Sequence, residues 1–342
     1  MNSWNRKEYQ QLESDVLFHN REVLESVGIS VGIIRQDDTF FFSSGSLHKD
    51  SGYAINQDSL FEIGSITKTF TALLISLAIG RHAIALDAYI DKLLPNSAKL
   101  RSSILNKVKV TDLASHQSGL PTLADDHYLD SLLRMNAGQP FAIVGTHYIQ
   151  QVLNNTDCLN NYGVYQYSNF AYALLGLMAE HCTGLSYENA LAAQLTGPLS
   201  MTRTGLTSPL DNNQVGCYTQ QGDVAERLIA NKVAPAGGLH STAADLINYL
   251  KAQISPGYTP LGRAIELSHK PFCVANGYEV GLGWNIINNG THRYFEKTGD
   301  SFGNSSLLRF DKQNKTGLVV LSNHQNSSLV AKIADELYSD LL

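Results

Sequence analysis

Charge, cysteine and long apolar runs are all scarce in this chain. Of its 342 residues only 16% are charged, and 31 acidic residues outweigh 25 basic ones for a net charge of −6. There is no basic run and no Lys/Arg stripe, which argues against a nucleic-acid partner. The longest apolar segments, such as 72-ALLISLAI-79, fall far short of the ~20 residues a membrane span needs. The four cysteines (Cys158, Cys182, Cys217, Cys273) are widely scattered, with no pair at metal-ligand spacing. The simplest reading of them is buried free thiols. Eleven histidines occur without an HExxH or a paired His–carboxylate spacing, so no metal centre is expected. The start, MNSWNRKEYQQ, has no apolar signal region. It reads either as a cytoplasmic protein, or as a periplasmic or secreted one whose leader is missing.

What is present suits a compact globular protein. Hydrophobic residues make up 43% of a chain long enough for a sizeable core and for more than one minimal domain. Leu12, Val16, Leu17, Val23 and Leu24 recur among charges over 5–27 and predict a leading amphipathic helix. The β-rich runs 29-ISVGIIR-35 and 39-TFFFSSG-45 flank a short polar turn, the pattern of a hairpin. Phe70, Leu73, Leu74 and Leu77 share one face of a helix that opens near Ser65, with Gly80 as its stop. Further helices are predicted over 110–115, 145–153, 169–183, 186–195 and 242–253, with long irregular connections at 118–140 and 197–235. Strands return at 278–287, 292–298, 304–311 and 318–323, several separated by Asn/Gly-rich turns, and a last helix spans 328–341.

Strands at both chain ends with helices between them predict an α+β architecture. An antiparallel sheet built from both termini and flanked by helices (1–84 and 255–342) would carry an inserted, mostly helical lobe (85–254). The cleft between the lobes is the natural place for a site.

Three short motifs occur in order: Ser65-Ile66-Thr67-Lys68, Tyr167-Ser168-Asn169 and Lys297-Thr298-Gly299. Each has a decoy, in Ser46 with Lys49, in Tyr187-Glu188-Asn189 and in Lys315-Thr316-Gly317. Context separates them. Ser46 lies in a polar turn after a strand, where nothing orients Lys49. Ser65 opens an apolar helix, where positions i and i+3 share a face and the helix start favours an anionic oxygen. Two readings of Ser65 remain at this level: a nucleophile whose base is Lys68, made able to accept a proton by an apolar surround, or a simple N-cap. Tyr167 stands at a loop-to-helix corner able to aim a side chain into a cleft, and its plain alternative is a packing aromatic. Tyr187 lies within an amphipathic run, where a packing role is expected. Lys297 ends a strand whose edge could bind an extended acyl substrate, whereas Lys315 sits in a hairpin turn.

S-x-x-K followed by a polar triplet and K-T-G is the pattern of serine β-lactamases and penicillin-binding proteins. With 60-LFEIGSITKTF-70, 113-LASHQSGLP-121, 165-YQYSNFAYALLG-176, 237-GGLHSTAADL-246 and 297-KTGDSFG-303, the chain resembles class C β-lactamases and the related penicillin-binding proteins, D-aminopeptidases and esterases, from about Gly28 to the last helix. The resemblance implies a two-lobed β-lactamase/transpeptidase-like fold and a serine hydrolase acting on amides or esters, with a β-lactam, D-amino-acid peptide or ester as substrate and no metal or organic cofactor. It implies Ser65 as acylated nucleophile, Lys68 and Tyr167 as proton-transfer groups, and Asn169 as partner of Lys68 and the substrate amide. Lys297, Thr298 and Gly299 would bind substrate, and the backbone N–H groups of Ser65 and Asp300 would form the oxyanion hole. His116 would pack and hydrogen-bond its loop. Many class C enzymes carry a glutamine where Leu123 stands, and Asn and Arg where Ser328 and Ala331 stand, close to the substrate carboxylate. Those departures weaken the case for efficient β-lactam hydrolysis, while Lys297 favours substrates with a carboxylate or similar polar end.

Overall fold

The computed structural model describes residues 6–24, 27–49, 51–94, 104–123, 139, 141–142, 144–206 and 212–341. Eight strands form one antiparallel sheet: β1 (Ile29–Arg35), β2 (Asp38–Ser44), β5 (Cys273–Ala275), β6 (Tyr278–Val280), β7 (Asn285–Asn288), β8 (Arg293–Asp300), β9 (Ser305–Asp311) and β10 (Thr316–Ser322), in the order β2-β1-β10-β9-β8-β7-β6-β5. A separate pair joins β3 (Phe61–Glu62) to β4 (His240–Ser241). β1, from the start of the chain, pairs with β10, from its end, in the register Ile29↔Ser322 to Arg35↔Thr316. The sheet is thus closed by both termini, as expected for the α+β class.

Helices cover both faces, which is why β1, β9 and β10 are buried almost throughout. Successive residues alternate sides. Ile29, Val31, Ile33, Leu307, Leu318 and Val320 share a core with the helices Arg6–His19 and Ser327–Leu341. Leu308, Phe310, Val319 and Leu321 face the larger core. There the helix Ala243–Ile254 lies so close that a Cβ on Gly32 would stand 2.8 Å from the Ile247 side chain. Each such buried aliphatic side chain contributes ~1.5–3 kcal/mol. That helix was expected with the inserted lobe, yet it packs on β1, β9 and β10.

Several details differ from the sequence expectation. The leading helix ends at His19, and a short turn of helix, Arg21–Leu24, follows. Between them the buried Asn20 amide donates to the Val16 carbonyl and to Glu336. Leu17 is only partly buried, and the Val23 side chain lies outside the described residues. The single strand expected over 278–287 is two strands, because Gly281–Trp284 folds back on itself (Gly281 N–H to Trp284 carbonyl, 2.9 Å). β5 and the helix Pro260–Ser268 were not foreseen. β5 had a legible signal in Asn276-Gly277, whose φ of +50° and +86° make the tight turn to β6. Of the four cysteines only Cys217 is buried. Most of the connection over 118–140 lies outside the described residues. Among the described residues no helix is long and apolar enough to cross a membrane.

Candidate active site

Ser65 sits in a 3-10 turn, Gly64–Ile66, that runs into the helix Thr67–Gly80. Its side chain caps neither element, so the N-cap reading has no support. The Oγ instead lies 2.6 Å from the Tyr167 hydroxyl and 3.1 Å from Lys68 Nζ. The turn is held from two sides. Ile63 donates its N–H to the Leu239 carbonyl beside β4, and its carbonyl accepts from Ser306 Oγ on β9. Two glycines permit the fit. A Cβ on Gly64, whose φ is +47°, would stand 2.5 Å from the Asp300 carbonyl oxygen. A Cβ on Gly299 would stand 2.1 Å from the Ile63 carbonyl oxygen and 2.9 Å from Ser65 N. The Ser65 turn therefore lies directly against the end of β8, and only glycine on both sides allows backbone to meet backbone.

Lys68, the second residue of the Thr67–Gly80 helix, is completely buried. Its Nζ donates to Asn169 Oδ1 at 2.7 Å and to the Ala236 carbonyl at 2.6 Å, and faces Ser65 Oγ. Burial, then the charge of nearby Lys297, push its pKa well below the usual lysine value. Two fixed carbonyl acceptors match the two N–H bonds of a neutral amine, so its lone pair is free to face the Ser65 O–H.

Tyr167 stands just before the helix Asn169–Thr183, at the predicted corner. The spacing of the triplet has a local reason: Ser168 Oγ caps the helix by accepting from the Ala171 N–H, which leaves Tyr167 outside the helix and Asn169 as its first residue. His116, with φ +63°, clamps the segment from the other side. Its carbonyl accepts from the Gln166 N–H and its Nδ1 accepts from the Ser168 N–H, while its ring lies 4.6 Å from the Tyr167 ring. Burial, followed by the charges of Lys297 and Lys68, keeps the His116 pKa well below the ordinary value, as its accepting Nδ1 requires. Burial pushes the Tyr167 hydroxyl up to about 12; its hydrogen bond to Ser65 opposes this and the Asp300 charge adds to it.

On β8 the side chains alternate, with Lys297 and Gly299 buried and Thr298 and Asp300 exposed. β7 pairs with β8 only as far as Glu296, so one edge of Lys297–Asp300 carries no β7 partner beside the Ser65 turn. Lys297 Nζ lies 5.4 Å from the centre of the Tyr167 ring, and burial lowers its pKa to about 8. The consequence for stability has a definite sign. Below about pH 8 the lysine is charged whether folded or not, so the folded chain carries the whole cost of burying the charge. That cost declines as the folded form loses its proton first, is nearly gone by about pH 10.5, where half of the unfolded lysine is neutral too, and vanishes above it. Lys297→Met is therefore expected to stabilise the fold by about 3 kcal/mol at pH 7 and by almost nothing at pH 10.5. Denaturant titrations at the two pH values check this, and an equal gain at both would show that charge burial is not the cause.

The structure brings Ser65, Lys68, Tyr167, Asn169, Lys297, Gly299 and Asp300 into one neighbourhood and keeps the decoys away. Lys49 Nζ donates to the Gly222 carbonyl and lies over the Tyr218 ring. Tyr187 is buried, its hydroxyl 2.6 Å from Thr71 Oγ1. Lys315 lies in the β9–β10 turn with φ +50°. Leu123 is buried in the larger core. The Ala236 carbonyl was missed, because a backbone acceptor leaves no mark on residue type. Among the described residues no group of three His, Cys, Asp or Glu is placed to hold a metal.

The Beta-lactamase family model matches residues 20–341. A curated "Beta-lactamase" from Pseudomonas fluorescens is 27% identical over 267 residues, 76% of this chain and 69% of that protein. Among solved structures, a "Beta-Lactamase/D-Alanine Carboxypeptidase from Pseudomonas syringae" superposes with a TM-score of 0.84 at 23% identity, covering 96% of this chain and 99% of that one. "A class C beta-lactamase" superposes at 0.86 and 20% identity, covering 100% and 99%. The chain belongs to the beta-lactamase family and is a serine hydrolase with the β-lactamase/transpeptidase fold.

Proposed function

We propose that this protein cleaves amide or ester bonds through an acyl-enzyme on Ser65, as a class C β-lactamase-like hydrolase or D-amino-acid peptidase, at a cleft between the sheet and the inserted helical region. The observation that carries the reading is the setting of Ser65 Oγ, 2.6 Å from the Tyr167 hydroxyl and 3.1 Å from a buried lysine whose own hydrogens are committed to Asn169 and Ala236. Ser65 Oγ attacks the carbonyl carbon as its proton passes to Lys68. The backbone N–H groups of Ser65 and Asp300 receive the developing oxyanion. The bond to the leaving group breaks, and Tyr167 hands that group a proton, replaced in turn from Lys68. Water then adds to the ester, giving its proton to the same relay, and the acid departs from a regenerated Ser65. The open edge of β8 from Lys297 to Asp300 offers backbone groups to an extended acyl donor.

A fluorescent penicillin, a chromogenic cephalosporin and a p-nitrophenyl ester, followed by intact mass and turnover, test the reading and divide its branches. Rapid cephalosporin turnover marks a β-lactamase. A stable adduct on Ser65 without turnover marks a penicillin-binding peptidase or sensor, and ester cleavage alone marks an esterase. No adduct and no turnover with any of the three would overturn the proposal.

A further inference from the structure

One of the decoy motifs stands directly behind the lysine of the site. Tyr187 is buried, and its hydroxyl lies 2.6 Å from Thr71 Oγ1. Thr71 in turn donates to the Pro235 carbonyl at 2.7 Å. The Thr67 carbonyl, at 3.4 Å, is the more distant of its two acceptors. The order of protons along this row is fixed. A threonine hydroxyl has one hydrogen and a carbonyl can only accept, so Thr71 donates to Pro235 and takes its own hydrogen bond from Tyr187. Burial pushes the Tyr187 hydroxyl up, against its bond to Thr71, so it keeps its proton over the working pH range. Pro235 precedes Ala236 in the short helix Ala234–Gly237, and the Ala236 carbonyl is the acceptor 2.6 Å from Lys68 Nζ. Thr71 lies three residues beyond Lys68 on the helix Thr67–Gly80, on the same face. Two successive carbonyls of one turn are thus held by two side chains of one helix face. The turn is also pressed by Gly176, where a Cβ would stand 2.2 Å from Pro235 Cγ. Gly176 belongs to the helix whose first residue, Asn169, is the other acceptor of Lys68.

Thr71 is completely buried and Tyr187 is 4% exposed, so neither meets a substrate. What they set is the place of the Ala236 carbonyl. A lysine amine turns easily about its last bond, and its lone pair faces Ser65 only while both acceptors hold its hydrogens. A buried carbonyl without a partner is costly. Loss of the Thr71 donor therefore lets the Pro235 peptide turn towards another donor, and the Ala236 carbonyl moves with it. We infer that Thr71 and Tyr187 are positioning residues that hold the Ala236 carbonyl against Lys68 and so fix the orientation of the base. The inference rests on the acyl-enzyme reading above and adds to it the row of hydroxyls behind the lysine.

The pH profile of Ser65 acylation tests it. The profile is read as kcat/KM on the penicillin, cephalosporin or ester that is turned over, or as the rate of adduct formation where the adduct is stable. In Thr71→Val, which keeps the shape and loses the hydroxyl, the plateau is expected to fall at least about tenfold. The limb that rises as Lys68 loses its proton should move to lower pH, because an ammonium loses more than a neutral amine when a facing carbonyl drifts away. Thr71→Ser keeps the donor and should restore both plateau and midpoint. Tyr187→Phe leaves the bond from Thr71 to Pro235 and should move the midpoint the same way by less. Lys297, Tyr167, Tyr172 and His116 also face Lys68 and are common to every variant, so a moved midpoint reports the carbonyl. A packing role alone would lower the melting temperature and the plateau and leave the midpoint in place. A midpoint unmoved in both Thr71→Val and Tyr187→Phe, or a Thr71→Ser that behaves as Thr71→Val does, overturns the inference. Should Thr71→Val fail to fold, an unmoved midpoint in Tyr187→Phe is enough to overturn it. An active wild type without a rising limb removes Lys68 as the base and the inference with it. Absence of turnover on every substrate with no adduct on Ser65 overturns the acyl-enzyme reading itself.

Discussion

Ser65→Ala is expected to lower kcat/KM by ~10⁴-fold or more on every substrate the wild type turns over, and to leave no covalent adduct detectable by intact mass. Only the attacking oxygen is lost. The turn that carries it is held by backbone and by Ser306, through Ile63, so the variant should fold and melt as the wild type does. Ser46 and Lys315 share the local spelling of the motifs, but Ser46 bridges to Ala54 just beyond β2 and Lys315 lies in a hairpin turn. The variants to test are Ser46→Ala and Lys315→Ala. They should keep activity within about twofold, the range of substitutions far from the chemistry. Hydrolysis that survives undiminished in Ser65→Ala would remove the nucleophile assignment, whatever the family.

Lys68→Arg should cost about 10²–10⁴-fold in kcat/KM, the range typical of a lost general base. A guanidinium keeps its proton throughout the working pH range, and it is too broad for the space between Asn169 Oδ1, Ala236 O and Ser65 Oγ. The pH profile separates loss of a base from loss of packing. With Lys68 held well below its usual pKa, kcat/KM of the wild type on a neutral ester should rise with pH as the amine sheds its proton, and should level off below the range of an ordinary lysine. Tyr167, pushed up to about 12, stays protonated over that span and remains able to donate. Any activity left in Lys68→Arg should lack the rising limb. A rising limb kept with the same midpoint would mean that another group takes the Ser65 proton.

The residues that sequence reasoning singled out fall into two kinds. Ser65, Lys68, Tyr167, Asn169 and Lys297 were legible because each sits in a local frame that limits where its side chain can point: an i, i+3 pair at a helix start, a corner fixed by a capping serine, a strand running into a glycine. Gly299 was legible as a motif letter, but the requirement behind it and behind Gly64, backbone meeting backbone across β8 and the Ser65 turn, appears only in three dimensions. His116 was read as a residue that hydrogen-bonds its own loop; its nitrogen in fact accepts from Ser168, 52 positions away, and so fixes the segment that carries Tyr167.

By itself, the sequence determined the α+β class and the pairing of strands from both chain ends, and it gave the reason to propose Ser65 rather than Ser46. Runs rich in β-branched and aromatic residues between polar turns, and a 3.6-residue period along a helix, are written in residue types, and an apolar helix behind a serine differs in composition from a polar turn. Only the tertiary structure decided which groups complete the site. The Ala236 carbonyl that holds Lys68 comes from a backbone that any residue would supply. The His116 ring that fixes the Tyr167 segment does so by accepting from Ser168, 52 residues further on. Such contacts depend on how distant segments are brought together, and no periodicity or local spacing records them.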